Sequence, residues 1–145
     1  MSLPASITAE ACEKHNRLLG YAGDIGVEEA WKLLEKKADA VLVDVRTPQE
    51  WEQIGLPDLA SLGKIALRLS WSLLPPGETG SQFVSEFSHL QVADDTPVLL
   101  ICRSGGRSRA AAMALTQGGY RCCFNIAAGF EGPNGWKANQ LPWKQ

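Results

Sequence analysis

The chain has 145 residues, the size of a single domain and enough to bury a core without a metal or a disulfide framework. Its 14 basic and 16 acidic side chains leave a net charge of −2, which argues against a nucleic-acid or other polyanionic partner. No run approaches the ~20 apolar residues of a membrane span, and Met1 to Glu10 lacks the basic start and apolar core of a signal peptide, so the reading is a cytoplasmic chain with no membrane partner.

Residues 1–20 show weak periodicity and read as an N-terminal lead-in, with one domain over residues 21–145. Tyr21 to Gly26 holds a short strand or a turn. Val27 to Lys37 then places Val27, Ala30, Trp31, Leu34 and Ala38 at helical spacing, with glutamates in the first turn and lysines in the last, as the helix dipole favours. Val41 to Arg46 is an apolar run ending in charge, the pattern of a strand covered on both faces. Thr47-Pro48-Gln49-Glu50 is a helix start: Thr as N-cap, Pro at the first helical position, Glu three residues after the Thr.

Leu56 to Gly63 is turn-like, Lys64 to Trp71 alternates as a strand, and Pro75 to Gly80 is the clearest loop. Ser81 to Leu90 places Phe83, Val84, Phe87 and Leu90 on one helical face, and Val98 to Ile101 is the central strand. Arg109 to Gln117 is an alanine-rich helix closed by Gly118-Gly119. Arg121 to Ile126 is the last strand, followed by a glycine-rich loop and a tail from Gly135 with little pattern. Strands alternating with helices imply an α/β fold, a parallel sheet with helices on both faces.

The chemistry concentrates where the central strand ends, in Cys102-Arg103-Ser104-Gly105-Gly106-Arg107-Ser108. A cysteine at the C-terminal end of a strand and the mouth of a helix occupies the usual ligand position of an open α/β sheet. Free N–H groups at a helix start favour an anion, a thiolate included. Four residues separate Cys102 from Arg107, so the loop can curl its N–H groups around one sulfur. Gly105 and Gly106 allow the positive φ such a curl needs, and Arg103 and Arg107 add charged, forked donors.

These residues resemble the active-site loop of the rhodanese (thiosulfate sulfurtransferase) homology family. Asp44-Val45-Arg46-Thr47-Pro48-Gln49-Glu50-Trp51 is similar to that family's Asp-x-Arg…Glu-[Trp/Phe] segment. Gly118-Gly119-Tyr120 and Asn125-Ile126-Ala127-Ala128-Gly129 are similar to its closing helix, strand and glycine pattern. The resemblance implies a three-layer, five-stranded parallel sheet and a ping-pong sulfur transfer. In that transfer Cys102 takes a sulfane sulfur from a small anionic donor such as thiosulfate, holds it as a persulfide on the loop from Arg103 to Ser108, and passes it to cyanide, a thiol or a protein acceptor. It implies no metal and no organic cofactor. Gly55-Leu56-Pro57-Asp58-Leu59-Ala60-Ser61-Leu62-Gly63 departs from the family's Gly-His-Ile-Pro-Gly-Ala, which leaves acceptor choice open.

Among the supporting residues, Arg103 reads as a contact for the donor anion, and Arg107 either as such a contact or as a tie from the loop to a carboxylate. Asp44 and Arg46 read as an ion pair or helix-cap arrangement that holds the neighbouring loop, with Glu50 joining it. The four cysteines include an adjacent pair and no CxxC spacing, so Cys12, Cys122 and Cys123 read as core thiols, with Cys122 and Cys123 on opposite sheet faces. His15 and His89 have no partner at a telling spacing and read as surface or helix-end residues. Two other functions compete: a persulfide carrier or partner-binding module without efficient turnover, and a phosphatase or arsenate reductase. The latter enzymes use a Cys-x5-Arg loop, one residue longer than the Cys-x4-Arg here.

Overall fold

The structure is a computed structural model that describes residues 9–72 and 79–145. Strands β1 (Gly23–Ile25), β2 (Val41–Asp44), β4 (Leu67–Arg68), β5 (Pro97–Ile101) and β6 (Cys122–Ile126) form one sheet, and β3 (Leu56–Pro57) pairs with β7 (Trp143–Lys144) in a small second one. The helices are α1 (Ala9–Leu19), α2 (Val27–Lys36), α3 (Pro48–Gln53), α4 (Thr79–Ser88) and α5 (Gly106–Gln117). The main sheet runs β1-β6-β5-β2-β4 with every pair parallel, so the five-stranded parallel sheet is present and β5 lies at its centre.

All five residues of β5 are buried, because a central parallel strand is covered on both faces. Their alternation divides the core. Leu99 and Ile101 face a cluster that includes Cys12, Leu33, Leu34, Phe124, Ile126, Phe130 and Trp136. Val98, Leu100 and Cys102 face Phe83 and Phe87 of α4 and Ala111, Ala112 and Leu115 of α5. Helices therefore pack on both faces, and the alanines of α5 are the small residues that let it lie close to the sheet. The alternation carries Cys102 onto the α5 face.

Several elements differ from expectation. The lead-in reading does not describe Ala9–Leu19, a helix whose Cys12 is buried; Cys12 and Cys122 are joined as a disulfide, with Cα atoms 5.3 Å apart, in place of two core thiols. The spacing rules for short secreted frameworks gave no hint of a bond linking residues 110 apart. Cys123 is a free, buried thiol on the opposite face from Cys122. Of the Pro75–Gly80 loop, residues 75–78 lie outside the described residues, while Thr79 and Gly80 already belong to α4. The tail is ordered: Trp136 is wholly buried, its Nε1 donates to the Pro142 carbonyl at 2.7 Å, and β7 pairs Trp143 with Pro57 and Lys144 with Leu56. The segment that departs from the family pattern is thus the one the tail covers.

Candidate active site

Helix α5 starts at Gly106, three residues before the alanine-rich stretch, and its first turn belongs to the cysteine loop. The cause is Gly105, which caps the helix at φ 101°. A Cβ there would collide with the Ala127 carbonyl, so only glycine fits both the left-handed backbone and the close approach. Gly106 does not share the positive φ expected of it and is an ordinary helical residue. Across the loop, Gly129 has φ 68° and lies against the Arg103 backbone. The segment after β6 thereby fastens the loop, with the Phe130 N–H donating to the Cys102 carbonyl at 2.8 Å and the Glu131 N–H to the Arg103 carbonyl at 3.0 Å.

Cys102 is 1 % exposed. Its Sγ is approached by the Gly105 N–H at 3.1 Å and the Ser108 hydroxyl oxygen at 3.2 Å. Burial pushes the thiol up, but the Ser108 hydroxyl and the N–H groups of Ser108, Ser104 and Gly105 outweigh it, and the net direction is below the ordinary thiol value. The loop donors are therefore aimed at the sulfur, as a nest aims them at an anion. From Ser108 a polar chain runs through the buried Asn125 to the exposed Asp24: the Ser108 hydroxyl is 2.6 Å from Asn125 Oδ1, Asn125 Nδ2 donates to Asp24 Oδ1 at 3.0 Å, and the Tyr21 hydroxyl donates to the same oxygen at 2.8 Å.

Arg107 is tied to a carboxylate. Its guanidinium makes a two-pronged pair with Glu50, Nη1 to Oε1 at 2.7 Å and Nη2 to Oε2 at 3.0 Å. That pairing, which outweighs burial, holds the Glu50 carboxyl down to about 2. Glu50 consequently does not join Asp44 and Arg46: its Oε1 also accepts the Thr47 N–H in the helix-start box expected of α3, and from there it reaches across to α5. Asp44 and Arg46 form a wholly buried ion pair by themselves, Nη2 to Oδ2 at 2.6 Å. Arg46 also donates to the Gly55 carbonyl at 2.8 Å and stacks 4.2 Å above the Phe130 ring. The pair thus joins the turn after α3 to the Phe130 segment that fastens the cysteine loop. Arg103 extends outward, its side chain 68 % exposed and a long 3.6 Å from Glu131, so it is the loop cation with room to meet a ligand.

Asn125, Asp24, Tyr21 and Glu131 were not among the residues singled out from sequence. Asn125 carried a signal: it is the one polar side chain in the buried strand Cys122–Ile126, and a buried amide must find partners. Register sets Cys122 and Cys123 beside Pro97 and Val98, at the far end of β5 from Cys102. His15 and His89 are exposed, as expected.

Residues 22–145 match the family described as the STR4 middle domain. An uncharacterized protein of Rickettsia conorii, RC0915, is 41 % identical over 122 residues, covering 80 % of this chain and 92 % of that one. The rice (Oryza sativa subsp. indica) chloroplastic protein named Thylakoid rhodanese-like is 30 % identical over 122 residues, 83 % of this chain but 25 % of its own length. Among solved structures, Rv0390 from M. tuberculosis superposes with a TM-score of 0.71 at 36 % identity, covering 86 % of this chain and 98 % of that one. Two more distant structures share the fold alone: a polysulfide-sulfur transferase from Wolinella succinogenes (20 % identity, TM-score 0.61, 94 % of this chain and 83 % of that one) and RPA3614 from Rhodopseudomonas palustris, titled a possible tyrosine phosphatase (21 %, 0.62, 99 % and 100 %).

Proposed function

The chain belongs to the STR4 middle domain family, a rhodanese-like group, and from that premise we propose that it is a sulfurtransferase working through a persulfide on Cys102. The observation that carries this reading is the closure of the six-residue loop: N–H groups converge on one buried sulfur while Arg107, the loop's last residue before Ser108, is turned to Glu50. A phosphatase uses that arginine on the substrate oxyanion, whereas here Arg107 is paired with Glu50, which favours the sulfur-transfer reading.

The Cys102 thiolate attacks the outer sulfur of thiosulfate, forming a new S–S bond, and the donor's own S–S bond breaks with its electron pair leaving on sulfite. The persulfide so formed carries its negative charge on the outer sulfur, where the loop N–H groups stabilise it as preorganised donors stabilise developing charge elsewhere. Cyanide or a thiolate attacks that outer sulfur, and the Cys102 thiolate departs, regenerated. Arg103 supplies the contact for the incoming anion. Its task is binding rather than bond making. No helix among the described residues is long and apolar enough to cross a membrane. A cytoplasmic location belongs to the same proposal, with the Cys12–Cys122 bond shielded from reductant by burial at both ends.

The test is mass spectrometry of the intact chain after exposure to thiosulfate, together with a thiosulfate:cyanide turnover assay, in the wild type and in Cys102→Ser. The expected result is a gain of one sulfur atom on Cys102 and thiocyanate formation, both lost in the variant. An adduct without turnover makes the chain a persulfide carrier instead. No adduct with any sulfane donor, or aryl phosphate hydrolysis that disappears in Cys102→Ser, overturns the reading.

A further inference from the structure

The hydroxyl of Ser108 stands between two groups that both want its single proton. Asn125 Oδ1 lies 2.6 Å away on one side and Cys102 Sγ lies 3.2 Å away on the other. Which of them receives it is set further back. An ionised carboxylate only accepts hydrogen bonds, so Asp24 Oδ1 must be donated to by both of its neighbours, Tyr21 and Asn125. Burial, then the adjoining Asp24, holds the Tyr21 phenol proton on above its ordinary value, so Tyr21 remains a donor. Asn125 must therefore turn its NH2 toward Asp24 and its carbonyl oxygen toward Ser108. An amide oxygen only accepts as well. Ser108 then gives its proton to Asn125 and shows Cys102 a lone pair.

That arrangement suits a Cys102 thiol, whose S–H can donate to Ser108. A thiolate needs the opposite: the hydroxyl must swing from Asn125 to the sulfur. We propose that Asn125, fixed by Asp24, is a positioning residue that steers the Ser108 hydroxyl and so governs how readily Cys102 releases its proton. The thiol proton leaves to solvent, and the Ser108 proton changes its acceptor without changing its owner. Once Sγ carries a second sulfur, the charge lies on the outer atom and the hydroxyl returns to Asn125. Register supports the assignment, because Asp24 and Asn125 are direct partners across β1 and β6, so the chain of contacts is built on rigid strands. Of the charged groups nearby, Arg107 is paired with Glu50, Arg46 with Asp44, Arg109 lies over the Tyr21 ring, and Arg103 points outward, 3.6 Å from Glu131. None of them replaces Asn125 as an acceptor for Ser108.

The inference rests on Cys102 being the nucleophile, and its test needs no sulfur donor, so it stands or falls separately from the adduct experiment. Thiolate absorbance in the ultraviolet is followed against pH, with Cys102→Ser as the blank. Disulfide-bonded Cys12 and Cys122 do not titrate, and burial pushes the Cys123 thiol up to about 12, so the earlier transition belongs to Cys102. Asn125→Leu frees the Ser108 proton for the sulfur and is expected to raise the thiolate fraction at a pH below the midpoint by roughly tenfold, the effect of one hydrogen bond to a charged group. Ser108→Ala is expected to lower it, and adding Asn125→Leu to Ser108→Ala is expected to change nothing further. An unchanged titration in Asn125→Leu, or an equal change in the Ser108→Ala background, overturns the proposal. If Asn125→Leu does not fold, Asp24→Ala at an exposed position serves the same cycle. Removing the Asp24 charge acts in both backgrounds, whereas release of the Asn125 amide acts only where Ser108 is present. A shift of the same size in both backgrounds again overturns it.

Discussion

Glu50 and Arg107 show how one pair can decide what an arginine in a cysteine loop does. Both side chains are mostly covered, 22 % and 27 % exposed, and the contact is forked, the stronger geometry for these groups. With Arg107 so engaged, the loop is tied to α3 and Arg103 is left as its outward-facing cation. Glu50→Gln keeps the size of the side chain and removes the charge, and it is expected to cost about 1–2 kcal/mol at neutral pH in urea unfolding. The pH dependence follows from the direction of the shift. Glu50 is held down to about 2 in the fold against ~4.3 in an unfolded chain, so the native state binds fewer protons. The pair's contribution is complete above the unfolded value and disappears as pH falls through about 2. The difference between wild type and Glu50→Gln should close over that same interval, and a difference that persists below it would assign the loss to packing.

The element that makes the site is the join between β5 and α5, and most of it is legible in the sequence. An apolar run stopping at Cys102 marks the strand end, Gly105 marks the turn, and Ala110 to Ala114 marks the helix. Thr47, Pro48 and Glu50 marked the start of α3 equally well, because capping is local chemistry. What escaped were contacts that depend on distant segments. Nothing near Glu50 says that its oxygens reach Arg107, 57 residues on, and nothing near Trp143 says that it will pair with Pro57. The helix over Ala9–Leu19 was missed for a related reason: Leu18 and Leu19, its two largest apolar residues, are exposed while Cys12 is buried, so the usual stripe is faint. Gly105 tests the local part. Gly105→Ala is strained at φ 101° and collides with Ala127, and is expected to lose about 2 kcal/mol or more of stability. It should also abolish sulfur loading of Cys102, since the Gly105 N–H can no longer sit 3.1 Å from the sulfur. A variant that loads sulfur normally would show that the loop tolerates a different backbone path.

Over the whole molecule, the sheet separates a chemical end from a bracing end. Cys102 lies beyond the C-terminal end of β5, whereas Cys122 pairs in register with Pro97 at its start. Five residues of strand, about 16 Å at ~3.3 Å per residue, lie between them. The Cys12–Cys122 bond is on the bracing side, where it anchors α1 to β6 and closes a loop of sequence separation 110. Cross-links across long loops act chiefly by restricting the unfolded chain, and one of this span is worth about 3–5 kcal/mol on that account. Replacing both cysteines, Cys12→Ala with Cys122→Ala, leaves neither bond partner behind as a new unpaired thiol. Stability to urea is expected to fall by about that amount, while sulfur loading of Cys102 and its turnover remain as in the wild type under conditions where both proteins are folded. The two readouts separate because the bond touches neither the loop nor its fastening at Ala127 and Gly129. Loss of sulfur loading in a variant that is still folded would mean that α1 reaches the chemistry through β6, whose Asn125 lies three residues beyond Cys122 on the opposite face.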